Sequence, residues 1–210
     1  MKVNTKIVAL LATLTVLQTV ASAAVDFYIR FKTYDNKYLT PESSTKLPTG
    51  AQVKSNMQLD SDGWVKVADF SFDIEQTLNI GSQSSGAGAG KITFNPFSIT
   101  LPWTNLDPTL YEMGASGTAF SHVDLVAVKS SGGANAGSIL RVFDFKLVAV
   151  KTISWAHDDE SPKETVTFEY GGLLLQHYTQ LATGAITAQP LTGWNRVRNI
   201  KDVDPTTDIK

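Results

Sequence analysis

Apolar and polar residues alternate in several stretches beyond residue 23, and this period of two is typical of half-buried β-strands. The predicted strands are Asp26–Thr33, Trp64–Ile80, Lys91–Thr100, His122–Lys129, Ile139–Ala156, Glu164–Tyr170 and Gly172–Gln180. Within the second of these the alternation slips near Ala68–Asp69, which predicts a β-bulge or a bend between two strands. Pro96 cannot donate a ladder hydrogen bond, so it predicts an edge or a bulge in the third. Ile139–Ala156 is either one long strand or a bent pair, and Gly172–Gln180 either continues the strand before it or pairs with it.

One short helix is predicted between the third and fourth strands. Asp107 is a good N-cap residue, and Pro108 stands at the first helical position, where its missing N–H costs nothing. Leu110, Tyr111 and Met113 would form a short apolar stripe, and Gly114 or Gly117 would end the helix.

Polar segments rich in turn-forming residues separate the strands. They are Tyr34–Asp62, Gly81–Gly90, Ser130–Gly137 and His157–Lys163. The tail Ala182–Lys210 holds one hydrophobic piece, Trp194–Ile200, before a polar end that we expect to fray. The pattern predicts a mainly β fold of about eight strands with one short flanking α-helix, arranged as a small β-barrel or a sandwich. Residues 24–210 would form a single domain with a long loop around 34–62 and a polar C-terminal tail.

Residues 1–23 have the three regions of a secretory signal peptide. Lys2 and Lys6 give a basic start, Ile7–Val20 is a mostly apolar run, and Ala21-Ser22-Ala23 is a small-residue cleavage signal. A membrane anchor is the alternative, but the run is shorter than the ~20 residues that cross a bilayer. The sequence therefore predicts export to the periplasm or the medium, with no membrane span after cleavage.

Composition excludes several classes of protein. The chain of 210 residues has no cysteine, a formal net charge of -2 and only 18% charged residues. Disulfides, cysteine-ligated metals and thiol nucleophiles are thereby excluded. A nucleic-acid binder is disfavoured, because it needs an excess of Lys and Arg to neutralise phosphates.

Two segments have residue types that bind phosphate or metal, but neither has the required spacing. Gly81–Gly90 is followed by Lys91, yet Ser85 and Ile92 stand where a phosphate-binding loop needs Gly and Ser or Thr. His157–Glu160 groups one imidazole with three carboxylates, but no calcium-loop spacing follows. A flexible connection and a solvated loop tip are the favoured interpretations.

Catalytic residues are not predicted either. Asp73 and Glu75 lie two apart on a predicted strand and would share a face, which is also common in structural ion pairs. His122, His157 and His177 are far apart in sequence, and no serine-nucleophile elbow is present. The sequence thus predicts no catalytic, cofactor-binding or metal-binding residue and no enzyme. A secreted hydrolase using Asp73 or Glu75 as its acid stays as a third hypothesis.

The four tryptophans offer the remaining candidate chemistry, a platform for sugars. Trp64, Trp155 and Trp194 lie next to predicted strands, so we expect them in the core or at subunit contacts. Trp103 lies in a loop before the helix and is the one we expect to be exposed.

The order of these segments over residues ~64–200 resembles the Hcp family, the haemolysin-coregulated tube proteins of type VI secretion systems. The matching segments are Gly63–Val67 with Phe70–Phe72, Gly86–Lys91, Ile92–Ile99, Asp107–Leu110, Val123–Lys129, Phe145–Ile153, Ser161–Tyr170 and Gly193-Trp194. The signal peptide and the length of the Tyr34–Asp62 loop depart from the family pattern.

The resemblance implies a small β-barrel with a flanking helix that assembles into homohexameric rings. It further implies that the rings stack into a tube, which can carry secreted effectors in its lumen and meets components of the secretion apparatus. No catalytic residue is implied. The alternative is an exported monomeric β-domain that binds carbohydrate or cell-surface ligands.

Overall fold

The computed structural model describes residues 24–44, 47, 59, 63–77, 91–133, 136–157 and 161–209. This part of the chain forms twelve antiparallel strands and one helix. The elements are β1 Val25–Lys32, β2 Val65–Val67, β3 Asp69–Ser71, β4 Ile74–Gln76, β5 Ile92–Phe94, β6 Phe97–Pro102, α1 Asp107–Ser116, β7 Ala119–Gly133, β8 Ala136–His157, β9 Pro162–Gln180, β10 Ile186–Ala188, β11 Thr192–Asn195 and β12 Ile200–Lys201. Over the described ranges, no helix is both long and apolar enough to cross a bilayer.

The strand pairings run around a circuit. The order β2-β1-β7-β8-β9 is followed by β6 beside β9 and β3 beside β6. Only Ala68 separates β2 from β3, and its N–H donates to the carbonyl of Thr100 at 2.8 Å. The predicted slip near Ala68–Asp69 is therefore a bend that lets one segment pair with both β1 and β6. The sheet curls into a small barrel, as predicted.

The strand count is higher than the predicted value of about eight. The segment Trp64–Ile80 is divided at Ala68 and again before β4, and Pro96 breaks Lys91–Thr100 into β5 and β6. Pro96 ends a strand here because it cannot donate to a ladder. The tail adds β10, β11 and β12, whereas β8 and β9 are each one continuous strand.

Alternate side chains of the circuit fill the barrel. Ile29, Phe31 and Leu125 are buried inside it. Phe97 stacks on Phe145 and on Phe168, with ring centroids 3.9 and 5.0 Å apart. Each buried side chain of this size contributes about 1.5–3 kcal/mol to folding, so the interior is a packed core.

A second apolar cluster lies on the outer face of the sheet. It contains Trp64, Val126 and Tyr178, and it is covered by Leu47 and Leu59 from the long loop. The described part of that loop, 34–44, is irregular as predicted, with one bridge between residues 32 and 38. Residues 45–46, 48–58 and 60–62 lie outside the described ranges, as do the predicted signal peptide and the loop 81–90.

Helix α1 forms where predicted, but Asp107 is its first residue and not its N-cap. The Asp107 carboxylate accepts a hydrogen bond from the Thr104 N–H at 3.1 Å, and the Thr104 hydroxyl accepts one from the Leu106 N–H at 3.2 Å. These hydrogen bonds hold the turn before the helix, and the N-cap residue Leu106 makes no side-chain capping hydrogen bond. Gly117 ends the helix in the left-handed conformation, at φ 69°. Of the predicted apolar stripe, Leu110 is buried and Met113 packs against the core, but Tyr111 is 58% exposed, so the prediction was wrong for that residue.

The C-terminal tail does not fray, so that prediction was wrong. After β12, residues 202–209 run back to the outer face of the sheet, where Ile209 is buried. The Tyr34 hydroxyl donates a hydrogen bond to the Ile209 carbonyl at 2.5 Å. A close backbone approach makes this path possible, because a Cβ on Gly193 would lie 2.1 Å from the Asp202 carbonyl oxygen.

Candidate functional site

A buried polar network lies between the outer face of the sheet and the tail. Arg30 on β1 stands directly opposite Asp124 on β7, and their side chains form an ion pair at 2.7 Å. The Arg30 guanidinium also stacks on Tyr38 and Trp64, 4.1 and 4.5 Å from the ring centroids. Arginine tolerates burial here because the carboxylate and the two aromatic faces replace its hydration.

His122 joins the network to the tail. Its Nδ1 lies 2.7 Å from the Asp144 carboxylate on β8, and its Nε2 lies 3.0 Å from Asp208 in the tail. Burial lowers the pKa of the imidazole, but hydrogen bonding and charge from Asp144, with the charge of Asp124, outweigh it and raise the pKa above its usual value. The ring therefore acts as a bridge between two carboxylates.

Lys146, opposite His122 on β8, holds the tail backbone. Its buried Nζ donates to the carbonyl of Asp204 and, at 2.8 Å, to the carbonyl of Thr207. Asp202 lies 4.0 Å from the same nitrogen. The charged groups of this network bind one another and the tail, so the network fixes the tail to the sheet.

Sequence reasoning did not find this network, although a signal was present. On one strand His122 and Asp124 alternate with core residues, and on the next strand Asp144 and Lys146 do the same. That pattern alone predicts a solvated outer face. The burial of Lys146 depends on the tail, whose backbone carbonyls accept its hydrogen bonds, and a backbone carbonyl leaves no mark in the sequence.

A second buried ionisable group lies beside the helix. Glu164 on β9 is fully buried, and neither of its carboxyl oxygens has a hydrogen-bond partner among the described residues. Burial, followed by the negative charge of nearby Asp107, raises the pKa of Glu164 to about 8. At neutral pH this side chain is mainly protonated.

The residues considered for hydrolysis are not arranged as a catalytic pair. Asp73 lies just before β4 and accepts a hydrogen bond from the Asn95 amide at 2.5 Å. Glu75 lies on β4 opposite Thr93, and both carboxylates are exposed. Across the described ranges, no group of three or more His, Cys, Asp or Glu could hold a metal ion.

The histidines lie in three separate places. His122 is in the tail network, His157 ends β8, and His177 stands opposite Arg141 at the far end of β9. Residues 158–160, the rest of the acidic cluster, lie outside the described ranges.

Three of the four tryptophans are exposed. Trp103 is 51% exposed, which confirms the prediction for it, and Trp64 is buried as predicted. Trp155 and Trp194 are 49% and 38% exposed, so they are not core residues. Trp155 lies beside Tyr111 of the helix, with ring centroids 6.3 Å apart. Exposed aromatic side chains of this kind are typical of interfaces.

Comparison with known proteins explains this combination of a packed barrel and an exposed aromatic surface. The profile of the family described as "Type VI secretion system effector, Hcp" matches residues 51–177, more than half of the chain. The chain belongs to the Hcp family. It is thus a protein of the type VI secretion tube, and the resemblance found in the sequence is confirmed.

Solved structures of Hcp proteins share the fold. A "type six secretion system protein" is 18% identical with a TM-score of 0.65, covering 85% of this chain and all of that one. Hcp1 from E. coli EAEC 042 is 15% identical with a TM-score of 0.56, covering 79% of this chain and 98% of that one. Hcp1 from Salmonella typhimurium is 16% identical with a TM-score of 0.54, covering 85% and 99%. Among curated protein sequences, no match was found.

Proposed function

We propose that this chain is a structural subunit that assembles into homohexameric rings, which stack into a tube able to carry effectors in its lumen. Membership of the Hcp family is the observation that carries the proposal. The chain works by self-association, without a catalytic residue or a cofactor. Its other partners are secreted effectors and components of the secretion apparatus.

The surface of the chain supports self-association. Large apolar side chains are exposed at many positions, among them Trp103, Tyr111, Trp155 and Ile200. Only 18% of residues are charged, and interface cores are likewise poor in charge and rich in aromatic residues. Several strands are short edge strands, and a neighbouring subunit can cover such edges.

The test is the mass of purified Ala24–Lys210 in solution by light scattering, followed by electron microscopy. We expect a mass near six subunits and ring-shaped particles. A strict monomer at every concentration would overturn the proposal. In that event, titration of glycans against tryptophan fluorescence would examine the alternative of a carbohydrate-binding domain, for which Trp103 and Trp155 are the exposed candidates.

The route of export is a separate part of the proposal. We propose that residues 1–23 are removed as a signal peptide, on the strength of their basic, apolar and small-residue regions. Mass spectrometry of the protein recovered from the periplasm or the medium should find Ala24 at the N-terminus. Recovery of exported protein that still begins at residue 1 would overturn cleavage.

A further inference from the structure

A cavity of about 310 Å³ lies at the end of the barrel formed by β1, β3, β7, β8 and β9. This volume is at the lower end of the range for small-molecule sites. The tail network and the helix lie elsewhere, and neither contributes a side chain to it. The lining residues are Phe27, Phe70, Ala127, Leu140, Arg141, Phe143 and His177.

Aromatic rings form the apolar part of this cavity. Phe70 lies between Phe27 and Phe143, with ring centroids 5.8 and 5.5 Å away. Phe143 is 8% exposed, and it joins the cavity to the packed interior. Such a surface favours the apolar body of a ligand, because binding removes both from water.

Cationic and polar side chains form the rim. Arg141 on β8 and His177 on β9 stand directly opposite each other and are exposed. Arg141 forms no ion pair with any described residue. A guanidinium can bind a carboxylate through two parallel hydrogen bonds.

The local backbone is irregular at this rim. Ala127 on β7 pairs with Arg141, but the next residue, Val128, pairs with Ile139, so Leu140 is an extra residue on β8. A bulge of this kind redirects side chains and is common at barrel rims and beside binding sites. Here both Leu140 and Arg141 line the cavity.

We propose that this cavity binds a small amphipathic carboxylate, with its apolar body against the three phenylalanine rings and its carboxylate on Arg141. A single negative charge is expected, because Arg141 is the one side chain of permanent charge in the lining. His177 provides a further hydrogen-bonding group at the rim. The proposal goes beyond assembly of the tube and does not depend on it.

The test uses hexanoate as the probe, with 1-hexanol and acetate as matched compounds that lack the charge or the apolar body. Ligand-observed NMR titration and calorimetry are performed on purified Ala24–Lys210, whatever its oligomeric state. We expect saturable binding of hexanoate, with 1-hexanol and acetate at least about tenfold weaker.

Two variants locate the site. Arg141→Gln should weaken hexanoate binding by at least about tenfold and leave 1-hexanol unaffected, because only the ion-paired hydrogen bonds are lost. Arg198→Gln, at another exposed arginine, is the control and should bind hexanoate as the wild type does. Equal binding of hexanoate and 1-hexanol, or unchanged hexanoate binding by Arg141→Gln, would overturn the proposal.

Discussion

Glu164 is a residue whose environment conflicts with its charge. Its carboxyl is fully buried against the helix, close to Asp107, with no hydrogen-bond partner in the described part of the chain. An unpartnered buried carboxylate is costly, so the folded protein holds the proton up to a pH of about 8. The unfolded chain releases that proton near the ordinary pKa of a glutamate.

The sign of the pH effect follows from this difference in proton binding. Between the ordinary glutamate pKa and about 8 the folded state binds one more proton than the unfolded state, so stability falls as pH rises. Glu164→Gln removes the titration while keeping the shape. Because each pH unit in this window is worth about 1.4 kcal/mol, we expect the stability of the variant relative to the wild type to be about 3 kcal/mol greater at pH 8.5 than at pH 5.

Urea denaturation at pH 5 and at pH 8.5 measures this effect. The two proteins should be nearly equal at pH 5, where Glu164 is protonated in the folded state. Glu75→Gln, at an exposed position on β4, is the matched control and should change stability by less than about 0.5 kcal/mol at either pH. A constant difference between Glu164→Gln and the wild type at both pH values would contradict the explanation.

Among the elements, the tail shows how a polar segment can still be part of the folded structure. Its anchors are backbone carbonyls bound by Lys146 and Tyr34, the ion pair of Asp208 with His122, and one apolar side chain, Ile209. A Cβ on Gly172 would lie 2.6 Å from Ile209, so glycine in β9 makes room for that side chain. The tail is therefore a covering layer for the sheet.

Ile209→Ala tests whether the tail contributes to stability. Because Ile209 is 5% exposed, its truncation should cost about 2 kcal/mol in free energy of unfolding. Val203→Ala is the matched control in the same tail, where the side chain is 42% exposed, and it should be nearly neutral. Urea denaturation, with hydrogen exchange of residues 203–209, provides the measurement. Equal, negligible effects of both substitutions would mean that the tail does not hold to the sheet in solution.

The sequence could predict the elements whose own apolar and polar residues show which side chains are buried. Period-two alternation located β1, β7 and β8, and the slip at Ala68 located the bend that closes the circuit. Pro96 was recognised as a disruption, but its effect, a complete break, depends on how β6 pairs with β3 and β9. The local pattern does not specify which strands β6 pairs with. A bent strand and a broken strand are both compatible with the same sequence around Pro96.

The candidate sites were harder to predict, for a related reason. Exposure of Trp103 follows from its loop, and that prediction is confirmed. Trp155 lies on a strand, and its exposure depends on which face the helix covers. Arg141 is an ordinary strand residue in sequence, and its place at the rim of the cavity depends on the pairing of β8 with β7 and β9.

On the scale of the whole molecule, the sheet ends in an edge strand that a second subunit can contact. β12 is the last strand in the sheet order and pairs with β11. Exposed apolar side chains accompany this edge, including Trp194, Val197 and Ile200. Strand β12 is only two residues long and contains Lys201, so association here depends on the exposed apolar side chains and not on the strand's backbone. We infer that this edge contributes to contacts between subunits of the proposed ring.

Ile200→Lys tests the edge directly. Ile200 is 49% exposed, so the folded subunit should tolerate lysine, whereas a subunit contact would bury the charge at a cost of several kcal/mol. We expect light scattering to show loss of the six-subunit mass, with unchanged circular dichroism. Leu181→Lys, at a turn residue that is also 49% exposed, is the control and should assemble as the wild type does. If Ile200→Lys still forms rings at the wild-type concentration, β12 is not a subunit contact and another exposed apolar surface must hold the ring together.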